Sequence, residues 1–370
     1  MTALDRLHPL EPVEELRVPQ SVSYNWEYDA TRRQLMRLYE NAKRDQWNAT
    51  TRLDWSVDVD PARGLVPDMG IGIWGTPVWE KLSAKQIEKL RHEAITWQLC
   101  QFLHGEQGAL LATAQIVDSV PWYEAKQYGA TQVMDEARHV EVYRKFVQEK
   151  LEHEYPVNAE LKKLLDLILT DSRWDMKFLG MQIIVEGLAL AAFGTIRDTA
   201  TNPLLRDLTA AVMEDESRHV AFGVLSLREY CRDLPEKDRL EREDFVYEAC
   251  VLMRDRITNR EVWEAMGLDP EECIAHSDQS DLAKQFRYRL FSKIVPNVKS
   301  LGLLSPRQRE RFQALGILEF ETNTTSDVDQ EIEEERKLRA GEASPAAPAA
   351  AQFDGALGFS STTGIVAARS

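Results

Sequence analysis

The chain has 370 residues, 44% of them hydrophobic and 29% charged, with a formal net charge of −16 and a pI near 5.0. That length is enough for a large buried core in one to three domains. The acidic balance argues against nucleic acid and anionic membrane surfaces as partners. Cys100, Cys231, Cys250 and Cys273 form no C-x-x-C pair, which predicts reduced thiols and a cytoplasmic chain. The N-terminal stretch lacks the apolar centre of a signal peptide, and no segment reaches the ~20 uncharged apolar residues that span a bilayer.

Residues 1–28 are punctuated by proline and read as irregular. Leu35, Met36, Leu38, Tyr39 and Ala42 recur at helical spacing and predict a helix over 30–48. Residues 49–82, rich in Asp, Pro, Gly and Trp, read as an irregular wrap. Four long helices follow at 84–118, 121–154, 172–200 and 203–233, with a short one at 161–169 in the crossover. Further helices are expected at 240–266, 280–293 and 305–317. Residues 324–370 are Ala/Pro- and then Gly/Ser/Thr-rich and read as a disordered tail. The predicted fold is all-α: an N-terminal extension (1–85), a four-helix bundle (86–233), C-terminal helices of the same domain (234–323) and the tail.

The bundle carries a repeat. Asp135-Glu136-Ala137-Arg138-His139-Val140 returns as Asp215-Glu216-Ser217-Arg218-His219-Val220. Glu106 stands 30 residues before Glu136, and Glu186 stands 30 before Glu216. On a helix, Glu-x-x-His puts a carboxylate and an imidazole on one face. A turn midway along each 30-residue gap would bring its two glutamates to the same depth, and Pro121 and Asn202-Pro203 lie at those midpoints. Glu106, Glu136, His139, Glu186, Glu216 and His219 then make a full ligand set for two metal ions inside a four-helix bundle. Glu106 and Glu186 sit on apolar stripes, where an unpaired carboxylate is costly.

Metal-bound imidazoles usually donate their second N–H to a carboxylate. The pseudo-twofold repeat predicts that Asp135 supports His219 and Asp215 supports His139, each aspartate braced by Arg138 or Arg218. Tyr143, four residues after His139, points to the same region as a core tyrosine or an oxidisable side chain; its counterpart is Gly223. Leu103, Leu110, Ile183, Leu190 and Phe193 flank the buried glutamates and are the expected substrate pocket.

On the Glu106…Glu136-x-x-His139 and Glu186…Glu216-x-x-His219 pattern, residues 86–233 resemble the ferritin-like superfamily of carboxylate-bridged di-iron proteins. The resemblance is to the oxygenase branch: bacterial monooxygenase hydroxylases, small subunits of ribonucleotide reductase and standalone N-oxygenases. It implies a ferritin-like bundle with a crossover connection, two irons (or a Mn/Fe pair), O2 as co-substrate, and Asp135, Arg138, Asp215 and Arg218 around the ligands. Tyr143 occupies the place of the reductase radical tyrosine. Two positions depart from relatives: Leu190 replaces the hydroxylases' threonine, and Val212 stands where N-oxygenases carry a seventh, histidine ligand. The second departure weighs against that subfamily.

The expected function is O2-dependent hydroxylation, epoxidation or N-oxygenation of an apolar small molecule. No flavin or ferredoxin module is visible, so a separate reductase or ferredoxin is the expected electron donor, and a homodimer the expected assembly. The alternatives are a radical-generating or ligand-binding subunit using Tyr143 and, further off, a ferroxidase.

Overall fold

The computed structural model describes residues 15–60, 64–151, 153–280, 284, 288 and 290–323, and among these it is helical with no strand. The bundle consists of α2 (Ala84–Ser119), α3 (Tyr123–Lys150), α5 (Trp174–Thr199) and α6 (Pro203–Arg232). Helix α1 (Arg33–Arg44) precedes it, α4 (Ala159–Thr170) lies in the crossover, and α7 (Glu236–Asp255) follows. This all-α bundle with a crossover between its two hairpins is the architecture the sequence predicts.

Local chemistry sets the ends. Ser83 and Gln86 form a capping box that starts α2. Val120 is extended before Pro121, so α2 stops there and the chain reverses into α3. Asn202 caps α6 by accepting from the Leu205 N–H at 3.0 Å, with Pro203 in the first turn, where its missing N–H costs nothing. The two midpoint turns are therefore real, and each hairpin returns its second helix along its first.

Helix α5 is apolar all round. It is the one helix among the described residues long and apolar enough to cross a membrane (mean hydropathy 1.7), yet 78% of that window is buried inside the protein. Its middle, Leu179–Val185, is π-helical and ends one residue before Glu186. Gly180 lets this stretch touch α4: a Cβ there would lie 2.4 Å from Ile168 Cγ1. The buried Lys177 amine donates to the carbonyls of Ile168 and Leu169 at the end of α4, and burial pushes its pKa down to about 8.

The N-terminal region is tied to the bundle by specific bonds. Helix α1 packs on α3 and α6. Glu124 Oε1 accepts from the Thr31 and Arg32 N–H groups at 2.7 and 3.0 Å. Leu65 O accepts from Thr201 N, and Asp58 O from Asn202 Nδ2, so this segment fastens the α5–α6 turn.

Beyond the bundle the outcome departs from expectation. The helix expected over 240–266 is broken: α7 ends at Asp255, Asn259 adopts a left-handed φ of 53°, and α8 (Arg260–Ala265) starts anew. The apolar period runs through this break, so pattern alone does not reveal it. Helices α9 (Pro270–Gln279) and α10 (Ile294–Ser300) were not expected; α11 (Pro306–Leu315) was. Most of the helix expected at 280–293, and the tail at 324–370, lie outside the described residues.

Candidate metal centre

The four bundle helices bring all six repeat residues to one buried place. Glu106 comes from α2, Glu136 and His139 from α3, Glu186 from α5, and Glu216 and His219 from α6; none is more than 6% exposed. Ligand atoms of Glu106, Glu136, His139 and Glu216 lie within 4.8 Å of one another, as do those of Glu136, Glu186 and His219. Glu136 is common to both groups.

The finer geometry is symmetric. Glu136 turns Oε2 toward His139 Nδ1 (3.4 Å) and Oε1 toward His219 Nδ1 (3.1 Å). Glu216 turns Oε1 toward His139 Nδ1 (3.1 Å) and Oε2 toward His219 Nδ1 (3.6 Å). Each of these carboxylates thus faces both imidazoles. Glu106 Oε2 lies 3.3 Å from His139 Nδ1, on one side only. On the other side, Glu186 Oε1 accepts from Gln132 Nε2 at 3.0 Å, and the same amide donates to Glu136 Oε1 at 2.9 Å.

The far ring nitrogens are held from outside. His139 Nε2 lies 3.1 Å from Asp215 Oδ2, and His219 Nε2 lies 3.4 Å from Asp135 Oδ2. Arg138 bonds both Asp135 and Asp215 (the latter at 2.8 Å), Arg218 bonds Asp215, and the Arg218–Asp135 approach is 3.8 Å. Gln46 bridges Arg138 and Asp135 with two 2.8 Å bonds, and the Trp47 indole N–H donates to Asp215 Oδ2 at 2.8 Å. This network aims the Nδ1 atoms at the carboxylates.

The donor set fits a pair of metal cations. Glu136 Oε2, Glu186 Oε2 and both Glu216 oxygens are buried without a hydrogen bond; His219 Nδ1 makes none, and His139 Nδ1 pairs with Glu106 Oε2. Such oxygens are expensive in a core unless a cation meets them. Protons otherwise take that role. Burial and the Glu216 charge raise the Glu106 pKa to about 8, and burial with the Glu136 and Glu216 charges raises Glu186 well above the carboxylate range. Burial opposes charge on both imidazoles, yet they are pulled well above the usual range, His139 by Asp215 and Glu106 and His219 by Glu136 and Glu216. Burial also opposes a charged Glu136, but His219 and His139 hold its pKa low. Cations entering this place would displace those protons.

Beside the centre a narrow cleft opens between α2, α5 and the end of α7. Phe102, Gly105, Glu106 and Ala109 line it from α2, Val185, Glu186, Ala189 and Phe193 from α5, and Met253 and Arg256 from beyond. Of the five expected pocket residues, Phe193 lines this cleft. Leu103, Leu110, Ile183 and Leu190 lie outside its lining. The cleft follows the Phe102–Gly105–Ala109 side of α2, whereas Leu103 and Leu110 lie on the stripe beyond Glu106; in α5 the π-helical stretch shifts the register before Glu186. Tyr143 is fully buried between Phe102 and Phe193 (ring centroids at 5.8 and 6.0 Å), and its hydroxyl has no hydrogen-bond partner. Gln132 and Arg256 were not singled out from sequence, where Trp47 reads only as packing of the N-terminal wrap on the bundle; Gln132, one turn before Glu136, carried a spacing signal.

The model of the family described as "P-aminobenzoate N-oxygenase AurF" matches residues 29–302. Among solved structures, an R2-like ligand-binding oxidase with an aerobically reconstituted Mn/Fe cofactor is 17% identical (TM-score 0.44), covering 72% of this chain and 93% of its own. A single-residue variant with the anaerobically reconstituted cofactor is 18% identical (TM-score 0.47), covering 75% and 94%. A search of curated proteins finds no match. The family match overturns the expectation drawn from Val212: that residue is fully buried in α6, and the chain is an N-oxygenase relative without a histidine there. The chain belongs to the family of the p-aminobenzoate N-oxygenase AurF, and is a ferritin-like di-iron oxidoreductase that uses O2.

Proposed function

We propose that this protein is an O2-dependent di-iron N-oxygenase of a small organic amine. The observation that carries the reading is the symmetric placement of Glu136 and Glu216, each facing both imidazoles, with Glu216 at the wall of an apolar cleft. In this reading Glu106 and His139 would hold one iron and Glu186 and His219 the other, with Glu136 and Glu216 placed to serve both. Bound irons would supply O2 activation and transfer of one oxygen atom to the substrate, with electrons from a separate reductase or ferredoxin. Asp215 and Asp135 keep the Nε2 protons in place, so the Nδ1 lone pairs stay available to metal. Phe102, Ala109 and Phe193 hold the substrate's apolar body and exclude water. Family membership favours N-oxygenation over hydroxylation or epoxidation. The bundle with its two flanking extensions is read as one cytoplasmic domain, paired as a homodimer.

The test is turnover of an arylamine such as aniline by iron-loaded protein with reductant and isotopically labelled O2. Label in a hydroxylamine, nitroso or nitro product supports the reading. Oxidised product without label, or none, rejects it.

The unbonded Tyr143 hydroxyl supports a second reading, a radical-generating or ligand-binding oxidase. A tyrosyl radical signal after Fe(II) and O2 addition, lost in Y143F, would favour it.

A further inference from the structure

A chain of packed rings leads away from the metal centre. Tyr128 stands on α3 one turn before Gln132, whose amide bonds Glu136 and Glu186. Burial raises its pKa, and the charges of His219, Arg218, Asp135 and Glu186 are close enough to act on it. The Tyr128 ring meets Phe222 of α6 (centroids 4.5 Å apart), Phe222 meets Phe178 of α5 (4.8 Å), and Phe178 meets Trp174 at the start of α5 (5.9 Å). Trp174 in turn touches Trp122 at 5.0 Å and Tyr230 at 4.7 Å. Tyr128, Phe222 and Phe178 are fully buried, whereas Trp174, Trp122 and Tyr230 reach the surface in part. The contacts therefore run from beside the centre to the outside of the bundle. Tyr143 differs: its ring partners are Phe102 and Phe193, and among the described residues that cluster meets no tryptophan.

The rings differ in how readily each gives up an electron. Phenylalanine resists oxidants that attack an indole or a phenol. A phenol yields an electron readily only when its proton can leave, and the Tyr128 hydroxyl is buried with no hydrogen-bond partner to take that proton. An indole can carry the positive charge and keep its proton. Of the two indoles, Trp122 has the Arg32 guanidinium 4.1 Å above its ring, and a cation there opposes a second positive charge. Trp174 is thus the oxidisable end of the chain, and Phe178, Phe222 and Tyr128 are the packed medium between it and the centre.

We propose that Trp174 protects the substrate-free protein by supplying one electron to its oxidised metal centre through Phe178, Phe222 and Tyr128. One electron leaves the indole, the centre is reduced by one electron, and the indole is left as a radical cation. No bond forms or breaks in this step. A soluble thiol restores the indole at the surface: it gives up one electron and one proton, and two thiyl radicals then couple to a disulfide. Oxidising power that finds no substrate leaves by this route instead of attacking the cleft walls. The proposal rests on O2 chemistry at the centre and not on an amine as the substrate.

The experiment mixes full-length, reduced, iron-loaded protein with O2 in the absence of substrate. Freeze-quenched electron paramagnetic resonance and peptide mapping by mass spectrometry are the readouts. Wild type is expected to give an organic radical whose signal narrows when its tryptophans carry ring deuterium, and to gain oxygen at Trp174. Added dithiothreitol should shorten the life of that signal. W174F, which keeps a ring but not the indole, should lose the signal while binding iron and melting as wild type does, and should gain oxidised residues along the cleft. W122F should keep the signal. No tryptophan radical and no oxidised Trp174 in wild type, with the iron shown to be oxidised by its absorption, overturns the proposal. So does a signal undiminished in W174F, or one that narrows with deuterated tyrosine and is lost in Y143F. If W174F fails to fold or to bind iron, the wild-type map decides: oxygen at Trp174 supports the path, and oxygen only elsewhere overturns it. Labelled-oxygen turnover of aniline by wild type is read separately. Turnover without a tryptophan radical removes only this path, and the radical without turnover removes only the N-oxygenase reading.

Discussion

The two helical hairpins share a ligand pattern but not their surroundings. In the first, α2 is a regular helix from Ala84 to Ser119, Gln132 stands one turn before Glu136, and Tyr143 one turn after His139. In the second, α5 is π-helical just before Glu186, and the corresponding places hold Val212 and Gly223. The π-helical stretch explains the last difference. It presses Gln182 against α6 so closely that a Cβ on Gly223 would lie 2.7 Å from Gln182 Cβ. A second tyrosine there has no room. The shared residues gather the metal-binding atoms, while the unshared ones shape the space around them: Gln132 ties Glu136 to Glu186, and Tyr143 backs the Phe102–Phe193 wall.

The strongest test of this comparison contrasts a bridging position with a terminal one. If Glu136 serves both metals, E136A should take iron content from about two per chain to about none. E106A, which strips one side, should leave about one. H219A strips the other side and should likewise leave about one. Metal analysis of purified protein decides it, and equal loss in E106A and E136A would remove the distinction between bridging and terminal glutamates.

The asymmetry at Gly223 predicts a stability effect. G223A forces a methyl group against Gln182 and should destabilise the fold by about 1–3 kcal/mol, seen as a drop of several degrees in thermal melting. A G223A variant as stable as wild type would show that the π-helical segment yields easily.

A third effect follows from the protons held in the cluster. Glu106 has an ordinary unfolded pKa near 4.5 and a folded value raised to about 8, so the folded metal-free protein binds the extra proton between these values. Its contribution to stability is full below about pH 4.5 and is lost as pH rises through about 8. The raised imidazoles act in the same direction above their unfolded pKa of 6.5. Metal-free protein should therefore melt at lower temperature at pH 8 than at pH 6, and iron loading should shrink that difference. A metal-free melting temperature that rises with pH would contradict the proton count.

How far sequence reaches follows the same division. The gathering of the six repeat residues was legible because a helix converts a three-residue step into a shared face and a 30-residue gap with a central turn into a shared depth. The aspartate support of the imidazoles was legible from the repeat itself. The bridging geometry was not, since it depends on carboxylate orientation. On α2 the cleft lies one stripe away from Leu103 and Leu110, and on α5 the π-helical stretch before Glu186 leaves no sequence period. Trp47 and Gln46 reach Asp215 and Asp135 from just beyond the end of α1, inside the helix expected to run to residue 48. Arg256 was hidden in a helix expected to run on to residue 266.

The smallest expected effect bears on what the first hairpin's extra tyrosine is for. The Tyr143 hydroxyl is buried without a partner, so replacing it with hydrogen removes an unsatisfied polar group instead of a bond. Y143F should leave stability unchanged or raise it by up to about 1 kcal/mol. If Tyr143 only packs between Phe102 and Phe193, Y143F should also keep its iron and its labelled-oxygen turnover. Loss of turnover with metal and fold intact would mean that the phenol takes part in electron transfer. The difference between Tyr143 and Gly223 would then be a functional division between the hairpins, and the radical reading would gain over simple oxygen transfer.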